Sequence, residues 1–280
     1  MAHNFTIDYI DVADVFGLEV IDQGYNELIE WPAFKPIPYN DWGEDDGIEP
    51  DLSSPKLASR EVKVSLAGRA TLAQVEALMG LLTEQKMHTL SYTSVRARWR
   101  MRFVEAEPMV ECGGLRFLTL TFAEDVPEWL NNTRPTSNIS PATDYLWDNN
   151  KFTDYGVRIL EGTRDSVTRI PDAKELKKYS VSGVNGDILA GGAIRYQAYD
   201  ATLRCLMRAS SLSELWENYC ALFNAMSASG AHYLYVDAVG KSYPCYYQSC
   251  KIQRFYPTDK IWLEFDIMVK VFGKPDSVWQ

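Results

Sequence analysis

Apolar and polar residues alternate with period two along much of the chain. Val62, Val64 and Leu66 face one way while Lys63 and Ser65 face the other, a pattern that predicts a half-buried strand. Similar runs predict strands at 88–92, 97–105 and 115–123, and again at 232–236, 242–252 and 260–271. Short apolar runs at Leu18–Ile21 and Val157–Leu160 predict an opening strand for each series. Two stretches change to helical spacing. Leu72, Val75, Leu78, Met79 and Leu82 fall on one stripe, and Leu212, Leu215, Tyr219 and Leu222 on another; both stripes are expected to be buried. Thr71 and Ser211 precede them, with Gln74 and Glu214 three residues later, the spacing of a capping box.

The two series run in register. Phe16-Gly17-Leu18 matches Tyr155-Gly156-Val157 at an offset of 139, and Thr71-Leu72 matches Ser211-Leu212 at 140. His88 matches His232 at 144, and Leu118, Leu120 and Phe122 match Leu263, Phe265 and Ile267 at 145. Offsets that grow in small steps predict a tandem repeat with short loop insertions. Each copy holds a long irregular segment, 31–56 in the first and 172–192 in the second. The expected organisation is a first copy at 1–126, a linker at 127–150 punctuated by Pro127, Pro135 and Pro141, and a second copy at 151–280. The expected class is mostly β with one helix per unit: two tandem β-sandwich domains, each with a flanking α-helix.

Composition narrows the function. The 280 residues are 46% hydrophobic and 24% charged, which excludes disordered, collagenous and coiled-coil chains. No run of apolar residues is long enough for a membrane span, and the N-terminus lacks the basic and apolar regions of a secretory signal. Residues 1–140 carry 12 Lys and Arg against 22 Asp and Glu, and residues 141–280 carry 16 against 16. Such a balance argues against a general grip on nucleic acid. No phosphate-binding glycine loop, metalloprotease helix or nucleophile elbow occurs, so no enzymatic activity and no cofactor are expected. Five cysteines without a CxxC pair read as buried free thiols. Asp45-Asp46-Gly47 reads as a solvated turn, not a calcium loop. His88 and His232 are expected to bond a carbonyl at the helix-to-strand turn.

One charge pattern stands apart. Arg96, Arg98, Arg100 and Arg102 alternate with apolar residues, so a strand would carry all four guanidinium groups on one face. The second copy has no such ladder. Asp41, Glu44, Asp45 and Asp46 form an acidic cluster in the first long segment. These eight residues are the candidate interface, with charge pairing between subunits as the simplest use. The tyrosines Tyr233, Tyr235, Tyr243, Tyr246 and Tyr247 suggest an alternative, a carbohydrate-binding or adhesive module.

The order of short strand, long loop, strand, capped helix and closing strands resembles the tube-type domain of bacteriophage tail tube, distal tail and baseplate hub proteins. It is carried by Phe16-Gly17 and Tyr155-Gly156 before an apolar strand and by the helices capped at Thr71 and Ser211. The resemblance implies a structural virion protein of a tail or related injection machine, assembled in the host cytoplasm. It implies a ring built from copies of the chain, three or six, together with other tail proteins. DNA would pass through the channel without specific binding, and nothing would insert into a membrane. Tube proteins ordinarily carry one such domain per chain, so the repeat is a departure.

Overall fold

The alternation at Val62–Leu66 is realised in β4 (Arg60–Gly68), where Val62, Val64 and Leu66 are buried and Glu61 and Lys63 exposed. The computed structural model describes residues 5–93, 97–129, 134–176, 178–183, 185–189, 193–258 and 260–276. The first half contributes β1 (Phe5–Ile7), β2 (Ile10–Asp11), β3 (Glu19–Val20), β4, β5 (His88–Tyr92), β6 (Ala97–Ala106) and β7 (Leu115–Glu124). The second contributes β8 (Tyr145–Trp147), β9 (Asn150–Lys151), β10 (Val157–Ile159), β11 (Tyr199–Arg208), β12 (His232–Val236), β13 (Lys241–Tyr256) and β14 (Trp262–Val271).

The sheet orders are β2-β1-β5-β6-β7-β4-β3 and β9-β8-β12-β13-β14-β11-β10, so the two sheets match strand for strand. Val110–Cys112 adds an eighth strand to the first sheet, on β7. The chain is thus mostly β, with one long helix in each half: α1 (Leu72–Glu84) and α2 (Leu212–Met226).

Helix starts follow the caps. Thr71 accepts from the Gln74 N–H, and the Gln74 side chain accepts from the Thr71 N–H at 2.8 Å. Ser211 likewise accepts from the Glu214 N–H, but the Glu214 carboxylate accepts from the Ser210 N–H, one residue earlier than a capping box requires. Val75, Leu78 and Leu82 are buried and Met79 half-buried, whereas Leu72 is 56% exposed. Leu72 therefore corrects the expected stripe, which begins one turn later. On α2, Leu215, Tyr219 and Leu222 are buried and Leu212 is half-buried.

The expected linker at 127–150 is also corrected. Its end forms β8, which pairs with β12, and most of the hairpin into β9. Asp148 and Asn149 make that turn with φ of 47° and 71°; Asp8 and Tyr9 make the turn from β1 to β2 with 51° and 68°. Both central residues of a type I′ hairpin turn need positive φ. Trp129, at the linker's start, packs against Trp216 and Phe223 of α2.

A matched device ties each hairpin to the end of the helix or the turn just after it. His88 Nδ1 lies 2.7 Å from Asp8 Oδ2, and Nε2 lies 3.0 Å from the Leu82 carbonyl. Asp8 Oδ1 accepts from the Thr89 N–H. His232 makes the same contacts with Asp148 and the Ala228 carbonyl, and Asp148 accepts from the Tyr233 N–H. Burial alone would lower the His232 imidazole, but Asp148 and the Ala228 carbonyl outweigh it and raise it above 6.5. A raised folded value gives stability that is complete below the unfolded value and lost as pH rises through the folded one. The urea-midpoint difference between wild type and His232→Gln should therefore shrink from about pH 6 to about pH 9. A difference that stays constant across that range contradicts the charged pair.

The two halves share one core. Buried apolar residues from Phe5 to Val271 form a single cluster. Ser242 through Tyr247 on β13 are all buried. Unbroken burial along a strand means that both of its faces are covered.

Candidate functional site

Residues 272–276 cover Ser242, Pro244 and Tyr246 in part; the rest of the covering comes from the first long segment (31–56), which with Leu57 is here called the first arm. Its root is closed by a bridge between Phe34 and Leu57, by the Lys35 N–H donating to the Lys56 carbonyl, and by the Ala58 N–H donating to that of Ala33. Its tip is a hairpin of Tyr39–Asn40 with Glu49–Pro50. The arm leaves its own half and lies on the other.

Trp31 anchors it at 2% exposure. Its ring is stacked on Tyr219 at 4.7 Å and lies 5.3 Å from Phe223, 5.5 Å from Phe265 and 6.0 Å from Tyr247. All four partners belong to the second half. The Tyr219 hydroxyl donates to the Ile29 carbonyl at 2.9 Å and the Tyr247 hydroxyl to that of Pro32 at 3.0 Å. Burial pushes both phenols well up, so they remain donors.

The tip is held by backbone. Gly47 N–H donates to the Tyr196 carbonyl, and Ile48 N–H to that of Phe272. Gly47 has φ of 73°, and a Cβ there would lie 1.8 Å from the Phe272 carbonyl oxygen. Only glycine meets both demands. Gly47→Val should release the tip at a cost of about 1–3 kcal/mol. Limited proteolysis checks this: cleavage within 39–50 should become fast in the variant, and unchanged resistance contradicts the contact.

The acidic cluster divides. Asp46 has a side chain 8% exposed, accepts from the Tyr196 N–H at 2.8 Å, and pairs with Lys274 at 2.6 Å and Arg195 at 3.4 Å. Burial alone would raise its carboxyl, but Lys274, the Tyr196 N–H and Arg195 hold it below the ordinary value of 3.8. Asp41 pairs with Lys174, which also donates to the Trp42 carbonyl. Glu44 and Asp45 are exposed. Asp41 and Asp46 thus meet cations of the same chain's second half, which the charge pattern alone did not foresee.

The arginine ladder lies elsewhere. On β6, Trp99 and Met101 are buried while Arg98 and Arg100 are exposed, as the alternation predicts. Arg98 lies over the Tyr9 ring at 5.6 Å, and Arg102 pairs with Asp125 at 3.0 Å. Arg96 lies outside the described residues. Among the described residues, no ion pair joins the ladder to the acidic cluster.

A second arm, residues 170–196, has the same root. Ala173 bridges to Tyr196, the Lys174 N–H donates to the Arg195 carbonyl, and the Gln197 N–H to that of Asp172. Each bond repeats one of the first arm at an offset of 139. Its tip is a hairpin of Lys178–Ser180 with Asp187–Leu189. Tyr179, Val181, Ile188 and Ile194 are exposed.

Other chemistry is sparse. Two clefts of about 460 and 470 Å³ follow the line where the first arm meets the second half, between Phe34 and Tyr246 and between Asp46 and Tyr243. Among the described residues, no group of three His, Cys, Asp or Glu is placed to hold a metal. Cys205, Cys220, Cys245 and Cys250 are buried free thiols, and burial pushes Cys220 up to about 12. Cys112 is exposed, a correction to uniform burial. Tyr243, Tyr246 and Tyr247 are buried, which removes three of the five tyrosines offered for sugar stacking. No helix among the described residues is long and apolar enough to cross a membrane.

What sequence reasoning missed is the contact of Trp31 with Tyr219 and Tyr247 and the role of the cations Lys174, Arg195 and Lys274. Trp31-Pro32 opening a long polar segment was the available signal. No protein-family model matches the chain, and no curated protein matches it. Among solved structures, it is similar to the Dit protein (gp 19.1) of phage SPP1, described as a paradigm of the hub adsorption apparatus in phages infecting Gram-positive bacteria. Identity is 13% over 96% of this chain and 98% of that one. The TM-score of 0.35 is too low for the likeness to carry structure or function across.

Proposed function

We propose that the chain is a structural, non-catalytic virion protein of a phage tail or related injection machine. Two tandem tube-type units in each chain would take part in a ring around an axial channel. The observation that carries this is the match between the halves: the same strand order, the same histidine-aspartate tie and the same hydrogen bonds at the arm roots. A repeated unit that reaches onto its neighbour is the raw material of a ring. The excess of acidic residues in the first half suits a channel through which DNA moves without being held. Assembly would take place in the host cytoplasm, with other tail proteins as further partners.

Gold-labelled antibody on native particles tests the placement. Label confined to the tail or its baseplate supports it. Label scattered over the capsid, or absent from particles, overturns it.

A further inference from the structure

The first arm has a receiving surface within the chain; the second arm meets the first arm only at its root, through Lys174, Arg195 and Tyr196, and among the described residues no side-chain bond ties its tip to the rest of the chain. Ile170-Pro171 stands where Trp31-Pro32 stands in the first half, at the same offset of 139 as the bonds of the arm root. Trp31 is 2% exposed, while Ile170 is 85% exposed.

The receiving surfaces differ in the complementary way. On α2, Tyr219 and Phe223 are fully buried beneath Trp31, with Trp129 beside them. The caps at Thr71 and Ser211 set the helices in register, so Met79 and Thr83 of α1 hold the equivalent places. Met79 is half-buried and Thr83 exposed. His88 pairs with Met101, as His232 pairs with Cys245. That register places Phe103 where Tyr247 stands, and Phe103 is only half-buried. The first half therefore leaves Met79 and Phe103 only half-buried where the second half covers their counterparts, and the second half leaves Ile170 and the apolar residues of its arm exposed.

We propose that the second arm of one chain docks on the first half of a second copy of this chain, with Ile170 entering between Met79 and Phe103. The contact repeats the one the first arm makes inside the chain. A head-to-tail contact of this kind propagates, and it closes into a ring when the rotation permits. The inference rests on the two-unit ring reading above and names its chain-to-chain contact.

Cross-linking tests it. One preparation carries Ile170→Cys and the other Met79→Cys, both in a Cys112→Ser background. Mixed at high concentration with a short bis-maleimide, they should give a covalent heterodimer, and neither alone should. Ile170→Asp should weaken self-association at least about tenfold, with thermal unfolding unchanged because the side chain is exposed. Light scattering reports assembly alongside. Assembly without the heterodimer, or undiminished in Ile170→Asp, overturns the arm contact and leaves the ring. No assembly and no heterodimer overturns the arm contact and the ring together.

Discussion

Replacing Trp31 by alanine is expected to lower the unfolding free energy by about 3–5 kcal/mol, the range for truncating a buried aromatic ring. Trp31 fills the space between α2 and the second sheet, although it belongs to the first half of the chain. Its removal leaves a cavity bounded by Tyr219, Phe223, Tyr247 and Phe265, rings held in place by their own backbones. It also loosens the arm that the indole anchors. Trp31→Phe keeps part of the contact and should cost less. Urea unfolding followed by circular dichroism measures both. A loss under about 1 kcal/mol in Trp31→Ala would show that the arm does not hold the halves together.

Replacing Arg60 by methionine should be of similar size, about 3–5 kcal/mol, because it strands a buried charge. The Arg60 guanidinium pairs with Glu124 at 2.6 Å, and the Glu124 side chain is only 4% exposed. Its other nitrogens donate to the carbonyls of Glu27, Leu28 and Glu30. Those carbonyls belong to the turn that launches Trp31. Arg60→Lys keeps a charge but loses the planar fork, and should fall between wild type and Arg60→Met. The double variant Arg60→Met with Glu124→Met removes both charges and should recover part of the loss. Denaturant midpoints of wild type, Arg60→Met, Glu124→Met and the double variant close the cycle. No recovery in the double variant would place the cost in the carbonyls and not in Glu124.

The second half performs the Arg60 task with another residue. Tyr199 stands at the equivalent position, and its hydroxyl donates to the Val167 carbonyl, the counterpart of Leu28. Arginine and tyrosine share no sequence signal, so the correspondence appears only through the backbone. Both capped helices and the long strands other than β11 were legible, because period-two alternation and cap chemistry are local; β11 (Tyr199–Arg208) was not among the expected strands. The short hairpins at 5–11 and 145–151 were not. Each strand has two or three residues, and Asp-Tyr and Asp-Asn turns lack the glycine that usually marks such hairpins.

The arm contacts were illegible for a different reason. Trp31 and Tyr219 lie far apart in sequence, and nothing local to Trp31 reports where it packs. The acidic cluster could be found by counting charges, but its partners could not. Lys174, Arg195 and Lys274 are scattered singly through the second half. Arg98, Arg100 and Arg102 of the ladder do lie along one strand, yet Arg102 turns to Asp125, twenty-three residues along.

The central claim is that two units of one kind, joined by an arm, build a ring from copies of this chain. Electron cryomicroscopy of the assembled particle tests it most directly. The account predicts six such units around the axis from three chains, or twelve in two layers from six chains, with a first or second arm lying on each neighbouring unit. A chain found as an isolated surface decoration, with no ring and no axial channel, would contradict it.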